Sequence, residues 1–302
     1  MISIQEQNFG VEIELAGVPR NMIADAVAQA VEGRITATHQ AGYDATIVTD
    51  QQGREWKILN DSSIPIVNGY KGSEIVTPIL NYGDIELLQN VVRKVRGTHA
   101  IAHSGCALHI HVDAANHDSK SLTILAKMVY KNEDMIFDAL QVHQDRRRRY
   151  TRPMDDEFIR KIVQHRPRTD RQLNEAWFGC YTPHPNHYDV SRYRSLNFQP
   201  KWRILNMIEW RAPNSTLHAG KIKAYIQFIL ALSAKALNAH SASHRKISTD
   251  NPKFNFRVWL VATLGMKGDE FKTARYHLTR YLPGNSAWRY GRPTNSNETP
   301  ES

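Results

Sequence analysis

Strict two-residue alternation of side-chain character, recurring in segments far apart along the chain, is the strongest constraint this sequence carries. In the stretch 9–15, Phe9, Val11, Ile13 and Leu15 alternate with Gly10, Glu12 and Glu14. In 105–113, Leu108, Ile110 and Val112 alternate with Ala107, His109, His111 and Asp113. A third stretch, 205–212, carries Glu209-Trp210-Arg211. Successive side chains of a β-strand point to opposite faces, so residues i and i+2 share one. Each triplet therefore aims two chemically active groups the same way. Three such strands in one sheet would set three carboxylates, two imidazoles and a guanidinium over one surface. That inventory suits divalent cations and phosphate.

The remaining pattern mixes strands and helices without regular βαβ alternation, which points to an α+β fold. Further strands are expected at 35–38, 46–49, 55–59, 73–78 and 192–198, the fourth of them carrying Glu74 and ending at Pro78. Helical spacing appears at 23–31, 85–95, about 118–142, around 158–162 and 173–177, at 219–239, and near 254–264 and 269–282. Asp84 and Asp118 or Ser119 are candidate N-caps. Residues 1–283 read as one domain and 284–302, polar and rich in Asn, Ser, Pro and Thr, as a disordered tail.

Composition narrows the class. The chain has 302 residues, of which 41% are hydrophobic and 23% charged, enough for a substantial core. A formal charge of +9 favours anionic partners without choosing among nucleotides, acidic metabolites and nucleic acid. Two cysteines, Cys106 and Cys180, fit a reducing compartment better than a disulfide framework. The first residues lack the basic and apolar regions of a signal peptide. No apolar run approaches the roughly 20 residues of a membrane span, so the expected location is cytoplasmic.

Individual residues have bland readings too. Glu12 and Glu14 alone could be the wet face of an antiparallel sheet, and Glu209 and Arg211 a structural pair. The run Arg146–Arg149 reads as a solvated helix end. Tyr181, His184, His187 and Tyr188 lie in a segment, 179–190, that is either a lid or a surface loop. Cys106 reads as a small buried residue. The combination of carboxylate, imidazole and guanidinium strands says more than any member.

Taken in order, Phe9-Gly10-Val11-Glu12-Ile13-Glu14, Asp61-Ser62-Ser63, Glu74-Ile75-Val76-Thr77-Pro78, Leu108-His109-Ile110-His111-Val112, Arg194-Ser195-Leu196-Asn197 and Glu209-Trp210-Arg211 resemble the amidoligase family. That family is itself similar to glutamine synthetase and glutamate–cysteine ligase in its catalytic domain. The resemblance covers roughly residues 8–240. It implies a glutamine-synthetase-like curved, largely antiparallel sheet with helices on its outer face, together with ATP and Mg²⁺ or Mn²⁺. By motif, Glu12, Glu14, Glu74, His109 and Glu209 resemble the metal ligands. His111 resembles a neighbour contacting metal or substrate, Arg211 and Arg194 resemble phosphate-contacting arginines, and Asp61 resembles a substrate or metal contact. Ser62 stands where the family commonly has glycine, and Asn214-Ser215-Thr216 where it often has Gly-Thr; neither departure removes a charged ligand.

The implied activity is an ATP-dependent carboxylate–amine ligase working through an acyl phosphate. Its partners would be ATP, a carboxylate (amino acid, peptide or protein side chain) and an amine donor, with no membrane and no nucleic acid. Two other readings are a basic nucleic-acid-binding protein, which would not need Glu12 or Glu209, and a metal-dependent hydrolase using the same ligands, which would turn over without ATP.

Overall fold

A computed structural model describes residues 1–37 and 45–290. Among these residues the architecture is α+β, with one open eight-stranded sheet and nine α-helices. The strands are β1 (Phe9–Leu15), β2 (Arg34–Ala37), β3 (Ala45–Thr49), β4 (Glu55–Asn60), β5 (Ser73–Val76), β6 (Leu108–Asp113), β7 (Leu196–Asn197) and β8 (Met207–Trp210). They lie in the order β2-β3-β4-β5-β1-β6-β8-β7, and every strand pairing is antiparallel. The helices are α1 (Arg20–Ala30), α2 (Ile85–Gly97), α3 (Ser119–Leu140), α4 (Gln144–Arg149), α5 (Asp156–His165), α6 (Asp170–Phe178), α7 (Ala219–Asn238), α8 (Pro252–Val258) and α9 (Lys272–Thr279).

The alternation read from the sequence decides which face is covered. Phe9, Val11, Ile13 and Leu15 of β1, Leu108, Ile110 and Val112 of β6, and Ile208 and Trp210 of β8 all join one buried cluster with α1, α2, α3 and α7. Burying a side chain of this size contributes about 1.5–3 kcal/mol, so a one-residue register slip in any of these strands would lose several such terms at once. The opposite face of the same strands is left with Glu12, Glu14, His109, His111 and Glu209. No helix among the described residues is long and apolar enough to cross a membrane.

Helix ends follow local chemistry. Asp118 caps α3, its carboxylate accepting from Ser121 N at 2.7 Å. Asp84 does not cap α2; a 3-10 turn, Tyr82–Asp84, leads into the helix, and Asn81 caps that turn instead. The expected strand 192–198 shrinks to two residues. Asp189 accepts from Ser191 N and starts a 3-10 turn, Val190–Tyr193, ahead of β7. The expected helix near 254–264 is α8 followed by a π-helical turn, Trp259–Thr263. The first part of the expected tail is tied down: Asn251 accepts from Asn285 N and donates to the carbonyls of Trp288 and Arg289. The rest of that tail, 291–302, and residues 38–44 lie outside the described residues.

One buried carboxylate links the helical layer to the sheet edge. Glu133 of α3 is 1% exposed, and its Oε1 accepts from Met154 N at 2.8 Å and from Ser195 Oγ at 2.9 Å. Burial pushes its carboxyl up to about 7. The folded chain thus keeps a proton that the unfolded chain sheds near pH 4.5. Stability contributed by that proton is present below pH 4.5 and is lost as pH rises toward 7. The difference corresponds to about 3 kcal/mol. Glu133→Gln, which mimics the protonated form, is expected to flatten this part of the profile and to exceed the parent in stability at pH 8, with parity near pH 4. Urea unfolding at the two pH values checks this.

Candidate active site

Antiparallel register gathers the polar side chains into rows across five adjacent strands. Glu14 lies opposite Glu74 on β5, and Glu12 opposite His109 on β6. A third row runs Gly10, His111, Glu209 and Asn197 across β1, β6, β8 and β7. Directly paired residues share a face with Cβ atoms about 5 Å apart, so these rows form a continuous acidic and imidazole floor. It lines a cavity of about 480 Å³. The loop Asp61-Ser62-Ser63 forms one rim. Tyr150, His187, Tyr188, Arg192, Tyr193, Arg203 and Arg211 rise on the other.

The contacts on the floor are short. His109 Nδ1 lies 3.0 Å from Glu12 Oε2 and His111 Nε2 lies 3.1 Å from Glu12 Oε1. The second approach lacks hydrogen-bond geometry, and both ring nitrogens of buried His111 are without a hydrogen-bond partner among the described residues. Arg211 Nη1 donates to Glu209 Oε1 at 2.5 Å, and Asn197 Nδ2 donates to Glu209 Oε2 at 2.6 Å. Glu14 accepts from Ala107 N at 2.6 Å, which pins one oxygen.

Charge crowding divides these groups. Burial raises the Glu74 carboxyl, and the charges of Glu12, Glu14, Asp61 and Glu209 hold it well above the usual range. Burial also opposes ionisation of Glu12 and Glu209. For Glu12 the His111 and His109 contacts prevail and hold it well below the usual range. For Glu209 the Arg211 charge and the two imidazoles bring it down to about 2. Burial lowers His111, but the charge of Glu12, closest to it, and that of Glu209 raise it overall.

Three groups of donors have their atoms mutually within 4.8 Å: Glu12, His111 and Glu209; Glu12, Glu74 and His109; and Glu14, Asp61 and Glu74. The residues fit divalent cations. Carboxylate oxygens with one imidazole suit a hard ion such as Mg²⁺ or Mn²⁺. A cluster in which burial and four neighbouring carboxyl groups hold Glu74 well above its usual range would be relieved by positive charge.

Of the residues singled out in the sequence, Glu12, Glu14, Asp61, Glu74, His109, His111, Glu209 and Arg211 all line this cavity. Arg194 does not. Its guanidinium pairs with Asp155 and donates to Pro153 O at 3.1 Å in a separate basic depression. Arg194 follows the 3-10 turn Val190–Tyr193 and precedes the two-residue β7, so strand alternation does not set its direction, whereas Asn197, inside β7, reaches Glu209. Of the loop candidates, His187 and Tyr188 line the cavity, while Tyr181 lies under Arg171, 4.5 Å from its guanidinium, outside it.

Arg192 and Arg203 are cavity cations that pattern reading passes over, because they sit on a 3-10 turn and just after one. They flank His187, with Arg203 Nη1 2.6 Å from Nδ1 and Arg192 Nη1 2.9 Å from Nε2. Asn197, the last residue of the Arg194-Ser195-Leu196-Asn197 motif, carries no charge to mark it in the sequence, yet it donates to Glu209.

Arg146 departs from the solvated reading of its run. It is 3% exposed, and its guanidinium donates to Arg211 O (2.8 Å), Pro213 O (2.8 Å), Ala212 O (3.3 Å) and Asn214 Oδ1 (2.9 Å). In return Arg211 Nε donates to Tyr150 O at 3.4 Å. The start and end of α4 thus clamp the segment that carries Arg211. Cys106 is buried, as its bland reading has it, and burial pushes its thiol up to about 11.

A second, apolar cavity of about 240 Å³ joins the first at Glu12, His111 and Leu205. Its floor is Gly10, where an added Cβ would meet nothing nearer than Thr77 Oγ1 at 3.9 Å. Val76, Pro78, Ile79 and Met207 form its walls. The missing side chain at Gly10 leaves the space open on the same face as Glu12 and His111.

A family model described as "Putative amidoligase enzyme" matches residues 5–233, a span that includes every strand and every cavity residue named above. No curated protein matches the chain.

Proposed function

Because this chain belongs to the putative amidoligase enzyme family, we propose that it is an ATP- and Mg²⁺-dependent carboxylate–amine ligase forming an amide through an acyl phosphate. The observation that carries the proposal is the floor on which Glu12, Glu14, Glu74, His109 and Glu209 converge beside Arg211. A carboxylate is a poor acyl donor because its oxide leaves badly. Attack of its oxygen on the γ-phosphorus of ATP breaks the bond to ADP and forms an acyl phosphate. An amine then attacks the carbonyl carbon, phosphate leaves, and the amine's proton passes to a base.

Both partners in the first step are anionic and repel each other. Glu12, Glu14, Glu74, Glu209 and His109 would hold the cations, which when bound neutralise phosphate oxygens and align them. Arg211, fixed by Glu209 and by Tyr150 O, offers its remaining donors to the transferred phosphoryl group. Arg192 and Arg203 take the role first assigned to Arg194, presenting guanidinium groups from the rim. His187 and Tyr188 lean over the same rim and would limit the access of water to the acyl phosphate. The apolar cavity over Gly10 suits the nucleobase, since it opens from the acidic floor and has no charged wall on its β5 side. The carboxylate would then enter beside Asp61 and Ser62.

Calorimetric titration with ATP, with and without Mg²⁺, tests the reading. Binding is expected to tighten about tenfold or more with Mg²⁺. Gly10→Leu is expected to weaken ATP about tenfold while leaving inorganic triphosphate unaffected. ATP binding indifferent to both Mg²⁺ and Gly10 would count against the proposal. Metal-dependent turnover without ATP would favour the hydrolase reading.

A further inference from the structure

A third cavity, of about 340 Å³, lies among helices and shares no residue with the two already described. Lys131 and Asn132 of α3, Lys235 near the end of α7, Ile247 of the following segment, and Asn255 and Trp259 at the α8–π junction give it its chemistry. No carboxylate lines it, and neither ammonium has an ion-pair partner among the described residues. Asn132 is 3% exposed; its Nδ2 donates to Met128 O at 2.8 Å, but its Oδ1 has no partner among the described residues. An orphaned buried acceptor costs about 1–3 kcal/mol, which a donor on a ligand would recover.

The walls are built to hold a shape. Ile247 N donates to Lys131 O at 3.2 Å and ties the outer segment across α3. Trp259 is braced by Phe228 and Phe256, with ring centroids 5.8 and 5.4 Å away. The helix widens into a π turn from Trp259, closed by Leu264 N to Trp259 O at 3.0 Å. Such turns are rare and concentrate at functional sites.

We infer that this cavity binds a small carboxylate that also carries an N–H group and an apolar side chain, the class of N-acyl amino acids and short peptide C-termini. The carboxylate meets Lys131 and Lys235, the N–H meets Asn132 Oδ1, and the side chain packs on Trp259 and Ile247. The volume falls in the lower part of the range of small-molecule sites. The inference stands apart from the ligase reading, because binding here needs neither nucleotide nor metal.

Calorimetry of the full chain with N-acetyl-L-phenylalanine, without ATP or Mg²⁺, is the test. One saturable site is expected. The carboxamide analogue, lacking the carboxylate, and 3-phenylpropionate, lacking the N–H, should each bind about tenfold more weakly or worse. The double variant Lys131→Ala/Lys235→Ala, on partly exposed positions, should weaken N-acetyl-L-phenylalanine by a similar factor, and Lys131→Arg should retain it. Ala242→Trp, which fills the cavity from its rim, should abolish binding. Absence of saturable binding would overturn the inference. So would binding that survives the double substitution, or binding lost in Arg211→Ala but kept in the double variant, which would place the probe in the acidic cavity.

Discussion

If the protein is the ligase proposed above, Glu12→Gln is expected to lower its magnesium-dependent turnover by about 10³-fold and to remove the tightening of ATP by Mg²⁺. The change keeps the shape of the side chain and removes one charge. Glu12 belongs to two of the three donor groups and is the residue that both His109 and His111 approach. Its neutralisation therefore weakens two candidate cation positions at once. An unchanged circular dichroism spectrum would show that the sheet persists. Titration with Mn²⁺ followed by electron paramagnetic resonance should then show fewer tightly held ions than the parent. A variant that keeps turnover within about tenfold of the parent would remove Glu12 from the chemistry.

Arg146→Met is expected to destabilise the protein by about 3 kcal/mol or more in urea unfolding, whereas Arg148→Met and Arg149→Met should stay within about 0.5 kcal/mol. The three residues are neighbours in sequence, but only Arg146 is buried. Its removal strands the carbonyl oxygens of Arg211 and Ala212 and leaves Pro213 O with the Leu108 N–H alone. Arg146→Lys should fall between, because a compact ammonium cannot span four acceptors arranged for a planar fork. Burial lowers the Arg146 guanidinium only to about 10, so it stays charged at neutral pH and the loss is that of a cation. Since the same clamp carries Arg211, the variant should also weaken ATP in the presence of Mg²⁺. Equal effects at positions 146, 148 and 149 would refute the clamp.

Glu12, Glu14, Glu74, His109, His111 and Glu209, all read from the sequence as one surface, share one property: they sit on strands whose other face is apolar. Alternation with Val11, Ile110 and Trp210 fixed the direction of Glu12, His109 and Glu209 before any neighbour was known. Arg194 falls between the 3-10 turn Val190–Tyr193 and the two-residue β7, where no strand alternation fixes a direction. Arg192 and Arg203 lie on or beside turns whose conformation comes from local side-chain bonds, and turns carry no period from which direction can be read. Arg146 was hidden for a different reason. Four consecutive arginines look alike in sequence, and the one that is buried is selected by carbonyls 65 to 67 positions away. The π turn at Trp259 likewise has no pattern that distinguishes it from a continuing helix.

The strand order also bears on how the chain is made. β1 leaves the ribosome first, yet its two neighbours, β5 and β6, lie about 60 and 100 residues downstream, and β8 follows almost 200 residues after β1. At about 5–20 residues per second of synthesis, the acid-bearing edge of β1 waits several seconds for β5 and longer for the β6 imidazoles. The like charges of Glu12 and Glu14 on the unpaired strand would discourage it from adding to the same strand of another nascent chain. The side chains gathered for chemistry in the finished protein would thus guard the first strand during translation.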